Sequence, residues 1–198
     1  SSIDDPERPS IPDEGDKEEP KPDEDENVTG TLAFEDIWPS GGDYDMNDVI
    51  VEYERKVYFD KKNIVTKIVD EFTPVHDGAT YVNAFAYQID AAQIGDKITL
   101  PEGAILEKET SSIIVMSNAK QNIGNKYVVT REFNGSFLKN QLLSYNPYII
   151  VKYSQGEQNR TEVHLPKHKA TAYANQSLIG SNDDAYYIDR KGAYPFAI

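Results

Sequence analysis

The chain has 198 residues, no cysteine and a formal net charge of −14. That length suits one globular domain plus a tail, and the lack of cysteine excludes both a disulfide framework and a thiolate metal site. No apolar run approaches the roughly twenty residues that span a bilayer, no signal peptide is visible, and the one dense basic cluster, Arg160 to Lys169, is too short and interrupted to bind a nucleic-acid backbone.

Residues 1–27 hold twelve Asp/Glu, three Lys/Arg and five Pro, with two Ile as the only apolar residues. Such a stretch cannot bury enough apolar surface to offset its ordering entropy, so it reads as a disordered acidic linker. It accounts for −9 of the net charge and leaves −5 for residues 28–198. The folded part is therefore only mildly acidic and need not repel an acidic partner. An acidic, Pro-rich spacer at this place fits a stalk holding a domain off a membrane, or equally a junction between two domains.

Next comes a loop rich in oxygen donors: Glu35, Asp36, Asp43, Asp45, Asn47 and Asp48 gather around Pro39, Gly41 and Gly42. Carboxylates packed this densely repel one another. A hard cation such as Ca²⁺ takes six to eight oxygens from a flexible loop and converts that repulsion into attraction. Asp, Asn and Gly are also ordinary turn formers, but the alternation of Asp43, Asp45 and Asn47 lets their oxygens converge from one side, which favours a calcium site. The start of the loop resembles an EF-hand, with Glu54 at the twelfth position. Asp48 occupies the place where that motif needs Gly, and the flanks are a Pro/Gly turn and a period-two apolar pattern rather than helices. Trp38, the only tryptophan, reads as an anchor packing the loop on a core.

Beyond the loop, β signals dominate. Val49–Phe59 and Ile64–Phe72 flank Asp60-Lys61-Lys62-Asn63 as a hairpin, and Thr80–Ile89 alternates Tyr81, Asn83, Phe85, Tyr87 and Ile89 against small residues. Lys97–Leu100, Ser112–Met116, Tyr127–Phe133, Tyr148–Tyr153 and Glu162–Leu165 follow, with residues 136–144 as a short helix or turn. About eight short strands with regular turns predict an all-β fold, an antiparallel β-sandwich or jelly roll, over residues 28–198. Its core is expected from Val49, Val51, Ile68, Phe85, Ile114, Val129, Ile150 and Val163.

The run Leu32-Ala33-Phe34-Glu35-Asp36-Ile37-Trp38-Pro39-Ser40-Gly41-Gly42-Asp43-Tyr44-Asp45-Met46-Asn47-Asp48-Val49-Ile50-Val51-Glu52-Tyr53 resembles the signature of the LruC-type domain of bacterial surface proteins, common in lipoproteins of the Bacteroides group. Gly78–Phe85, Glu162–Pro166, Leu178–Asp184 and Tyr194–Ile198 resemble later blocks, with Ala84 in place of the family's Gly. The resemblance implies an exported, cell-envelope, calcium-dependent β-domain of unestablished activity, tied to the outer membrane only through a lipid anchor outside this chain. It leaves open that the C-terminus is a truncation. It also raises interest in Asp183 and Asp184, a second acidic pair that would complete the coordination sphere of the first loop.

Signals for catalysis are thin. There is no Cys nucleophile and no Gly-x-Ser-x-Gly elbow, and His164 and His168 are separated by Pro166, which forbids a helical pair. In a strand the two would share a face, but a structural or solvent-facing role is the stronger reading. The expectation is a non-enzymatic, extracytoplasmic calcium-binding domain acting in surface binding or adhesion toward a glycan or protein. Its rival is a carbohydrate-binding module using Tyr145, Tyr148, Tyr173, Tyr186 and Tyr187, against the plainer reading that Tyr is a good strand residue. A planar row of exposed Tyr would favour glycan; a flat apolar patch or free strand edge would favour protein.

Overall fold

The computed structural model describes residues 24–42, 44–181, 195 and 197–198. Asp43, Asp183, Asp184, Tyr186, Tyr187 and most of the expected linker lie outside the described residues. Two five-stranded antiparallel sheets form a β-sandwich. The first has the order β1-β2-β3-β8-β5, built from Glu24–Phe34, Val49–Phe59, Val65–His76, Tyr127–Glu132 and Lys97–Thr99. The second has the order β10-β9-β4-β7-β6, built from Thr161–His164, Asn146–Val151, Ala84–Gln88, Ser112–Met116 and Ile105–Glu107. Among the described residues there is no α-helix; the 136–144 stretch contains a single 3₁₀ turn at Lys139–Gln141.

The hairpin expected around residues 60–63 is present. Asp60 Oδ1 accepts from the N–H groups of Lys62 and Ile64 at 2.8 and 3.0 Å, and Asn63 takes the left-handed conformation that Asn tolerates. Two elements differ from expectation. Strand β1 was not among the expected strands, and it begins at Glu24, four residues inside the expected linker, where Glu24 to Asn27 pair with Phe59 to Lys56. Strand β6 was too short to stand out as a pattern. At the other end, the backbones of Ala33 and Ile198 exchange two hydrogen bonds, so the last residues lie along the outer edge of β1.

The sandwich interior is filled by Phe34, Val49, Val51, Phe72, Phe85, Tyr87, Ile113, Val115, Val129, Ile149 and Val163. Phe85 packs on Phe34 and Phe72 with centroids 6.3 and 5.0 Å apart. Trp38 belongs to this cluster at 4% exposure, the anchoring role expected of it. All eight expected core residues are buried. Ile114 and Ile150, however, belong to a separate cluster with Ala84, Ala86 and Tyr148 on the other face of the second sheet. Both faces of β4, β7 and β9 are buried, and Thr171 and Tyr173 hold residues 169–175 against Glu162 and Arg160 at the β10 side.

A candidate metal centre at the acidic pole

One end of the sandwich carries the loop from β1 to β2 and the connection from β3 to β4. The loop is held from inside. Glu35 and Asp36 are almost wholly buried; Glu35 Oε1 accepts from the Met46 N–H, and Asp48 Oδ2 accepts from the Asp36 N–H at 2.8 Å. Tyr44 and Met46 both adopt left-handed backbone conformations, which turn the chain tightly enough to bring Asp48 back against Asp36. Buried Asn83 then donates to Asp36 Oδ2 at 3.1 Å, while its own Oδ1 accepts from the Lys152 N–H. At the exposed rim, Asn47 Nδ2 donates to Asp45 Oδ2 at 2.6 Å.

The β3–β4 connection seals the loop from the side. The N–H groups of Gly78 and Ala79 donate to the carbonyls of Asn47 and Asp48. A Cβ on Gly78 would lie 3.1 Å from the Asn47 carbonyl oxygen, a tight contact that the neighbouring backbone would have to relieve by a few tenths of an ångström. This contact brings in a carboxylate that the sequence reading missed. The Asp77 side chain has 0% of its surface exposed. Its Oδ1 accepts from the Ala79 N–H at 3.0 Å and lies 4.0 Å from Lys120 Nζ. Its Oδ2 is buried with no hydrogen-bond partner among the described residues. The only available signal was the placement of His76-Asp77-Gly78 at the end of a strand, immediately before the Gly78–Phe85 block.

The electrostatics match the crowding. Burial pushes the Asp77 carboxyl above the ordinary 3.8; the Ala79 N–H and Lys120 oppose this, and the charge of Asp36 adds to it. Burial also pushes Asp48 upward, against the hydrogen bond from Asp36 but with the charges of Asp36 and Asp45. Asp36 thus acts as a like charge on both Asp48 and Asp77, and Asp45 on Asp48. Buried unpaired carboxylates are costly unless a cation or hydrogen bonds compensate them. Asp36, Asp45, Asn47, Asp48 and Asp77 carry only oxygen donors, the type a hard cation takes. Among the described residues, however, no three His, Asp or Glu side chains form a group that could hold a metal ion. Glu35, turned inward to a backbone N–H, shapes the loop.

The tyrosines expected as sugar platforms are placed differently. Tyr148 is fully buried, stacked on His164 at 4.4 Å and bonded to Ser112 through its hydroxyl at 2.8 Å. It has no free face, which corrects its assignment as a ligand platform. Its side chain points to the outer face of a sheet that the chain itself covers, and the alternation could not reveal that cover. Tyr145 is half-buried against Tyr53, Phe72 and Tyr87, with the Arg55 guanidinium 4.2 Å from its ring. Tyr173 lies beside Arg160.

His164 also has a structural setting. Its Nε2 meets Glu162 Oε1 at 2.8 Å and its Nδ1 meets Asn146 Oδ1 at 2.7 Å, so both ring nitrogens are engaged. Burial lowers its pKa from 6.5, outweighing the opposing pull of Glu162. Glu162 accepts from Arg160 Nε, the Thr171 hydroxyl and the Thr171 N–H. Burial resists its charge, but these donors and His164 prevail and carry it down to about 2. Arg160 also makes two 2.8 Å bonds to Glu107. The network fastens residues 169–175 to the sheet.

The architecture thus defines an all-β sandwich domain with a carboxylate-rich pole and a stapled outer face. Residues 63–198 match the family described as a domain of unknown function (DUF4842), and the chain belongs to that family. The match takes in Asp77 and Asn83 but starts after the loop of residues 35–48. No curated protein and no solved structure matches the chain.

Proposed function

We propose that this protein is a calcium-dependent binding domain working outside the cytoplasm, at the cell surface, by adhesion rather than catalysis. A calcium ion at the acidic pole would take oxygens from Asp36, Asp43, Asp45, Asn47, Asp48 and Asp77, with Asp183 and Asp184 as further candidates. The buried, unpartnered Oδ2 of Asp77 among like charges carries the reading: a divalent cation supplies the compensation that the described protein groups do not. Bound there, the ion would tie the β1–β2 loop to the β3–β4 connection and stiffen one end of the sandwich. The cell-surface setting rests on the LruC-type resemblance and on the acidic spacer. Binding is favoured over catalysis because His164 and Glu162, the hydrogen-bonded histidine–carboxylate pair among the described residues, are consumed in a buried structural network.

Thermal unfolding of the metal-stripped protein in chelator, in Mg²⁺ and in Ca²⁺ tests this reading. At a hundredfold excess over Kd, a ligand of the folded state adds about 2.7 kcal/mol. For a domain of this size that is a rise of roughly 5–10 °C in Tm. A rise specific to Ca²⁺ that Asp77→Asn abolishes supports the site. Equal melting in all three conditions overturns it.

A further inference from the structure

Away from the acidic pole, the lateral opening between the sheets forms a groove of about 400 Å³. Edge strand β1 lines one side, and the segment leading into β9, together with Leu165 beyond β10, lines the other. Leu32, Val57, Leu142 and Leu165 make the walls apolar, and the rings of Tyr53 and Tyr145 contribute flat surfaces. The volume falls within the roughly 300–1,000 Å³ of small-molecule sites, which are mostly apolar with a few placed polar groups.

The placed group here is Arg55, which lines the groove and is 7% exposed. It belongs to a buried charge layer between the sheets. Asp70 accepts from Arg55 Nε and Nη2 at 2.6 and 2.9 Å and from the Tyr87 hydroxyl at 3.1 Å, and Arg131 Nη2 lies 3.6 Å away. Burial and the Asp70 charge raise the Tyr87 phenol well above its ordinary value, so it stays neutral. Two guanidiniums therefore share one carboxylate, and the layer keeps a net positive charge. Arg131 is turned inward, its Nη1 donating to the Gln93 carbonyl at 2.6 Å while its Nε is buried and without a partner among the described residues, out of reach of the groove. Arg55 is the member that reaches the groove, and its Nη1 has no acceptor among the described residues. Of the other ionisable groups lining the groove, Glu26 is paired with Lys139 at 2.8 Å and His168 Nδ1 meets the Pro166 carbonyl at 3.1 Å.

We propose that this groove is a second binding site, independent of the acidic pole, for a small monocarboxylate with an apolar or aromatic body. The body would lie between the aliphatic walls and the two tyrosine rings. The carboxylate would accept from the Nη1 side of the Arg55 fork, whose planar donors suit a carboxylate, and would neutralise the surplus charge of the layer.

Phenylbutyrate, phenylbutanol and phenylbutylamine share one body and differ in the head group. Titrated into isotopically labelled full-length protein, the acid should shift the amide resonances of Val57, Leu142 and Tyr145. It should bind roughly tenfold or more tightly than the alcohol, the margin of a charge-assisted hydrogen bond, and the amine should be the weakest. Arg55→Lys should reduce that preference. Because Arg55 supports Asp70, a groove-filling change at an exposed position carries the test should that variant fail to fold. Val28→Trp and Leu143→Trp replace side chains that are 56% and 54% exposed, and should abolish acid binding with Tm unchanged. Equal affinity for acid and alcohol, no shift with any probe at millimolar concentration, or full binding by both tryptophan variants would overturn the assignment.

Discussion

Two carboxylate clusters lie on this sandwich, and they have opposite characters. On the outer face of the second sheet, Glu162 is surrounded by donors from Arg160, His164 and Thr171 and ionises more readily than in water. At the acidic pole, Asp48 and Asp77 ionise less readily, and Asp77 keeps one buried oxygen unpartnered. A carboxylate whose donors are all supplied by the chain is a structural element. A buried carboxylate beside other carboxylates, with an oxygen that no described residue partners, has its charge less fully compensated. Burial alone does not separate the two; the count of donors does.

The largest effect should come from breaking the satisfied cluster. Arg160→Ala strands Glu107 and Glu162 in a buried site, and breaking a buried ion pair from one side costs roughly 3–5 kcal/mol. Denaturant unfolding should show this loss equally in calcium and in chelator; a loss confined to calcium would erase the distinction between the two regions. Asp77→Asn comes next and acts in the opposite sense in chelator. It relieves a buried charge, so Tm should stay level or rise without metal, while the gain of about 2–3 kcal/mol from saturating calcium disappears. Asp45→Ala, at the exposed rim, should reduce the calcium gain less and change little in chelator.

Gly78→Ala should cost on the order of 1 kcal/mol, since the new methyl must push aside the Asn47 carbonyl. Because that contact positions Asp77, calorimetric titration should show weakened calcium binding as well; unchanged binding would detach the β3–β4 connection from the site.

The smallest effect is in pH. Glu162 has a lowered pKa in the folded state, so its contribution is full above the ordinary 4.5 and fades as pH falls toward about 2. His164, also lowered, contributes above 6.5 and loses that contribution as pH falls below it. Asp77 has a raised pKa, so it penalises folding at neutral pH, and protonation removes the penalty as pH falls toward 3.8. In chelator, the stability advantage of Asp77→Asn over the parent should therefore shrink steadily on acidification. A constant difference would mean that the Asp77 charge is already compensated.

Much of the architecture was legible from period-two alternation. The β2–β3 hairpin, its Asp60–Asn63 turn and the burial of Val49, Val51, Phe85, Val129 and Val163 all follow from alternating apolar residues and turn chemistry. The donor-rich loop was equally visible, since density of oxygen ligands is a local property. Strand β1 was not read as a strand: its residues pair along β2 from Glu24 to Phe34, and nothing apolar in Glu24 to Asn27 announces its start.

What the sequence by itself determined, then, is which residues share a face and where oxygens crowd. Only the tertiary structure decided which faces are inside. Alternation cannot say that the outer face of the second sheet is buried as well as the inner one, so Tyr148 became a buried partner of His164 instead of a platform. Nor can it say that residue 77 lies against a loop that starts forty residues earlier. That meeting rests on two backbone hydrogen bonds and a missing Cβ at Gly78, long-range contacts that leave no period in the chain.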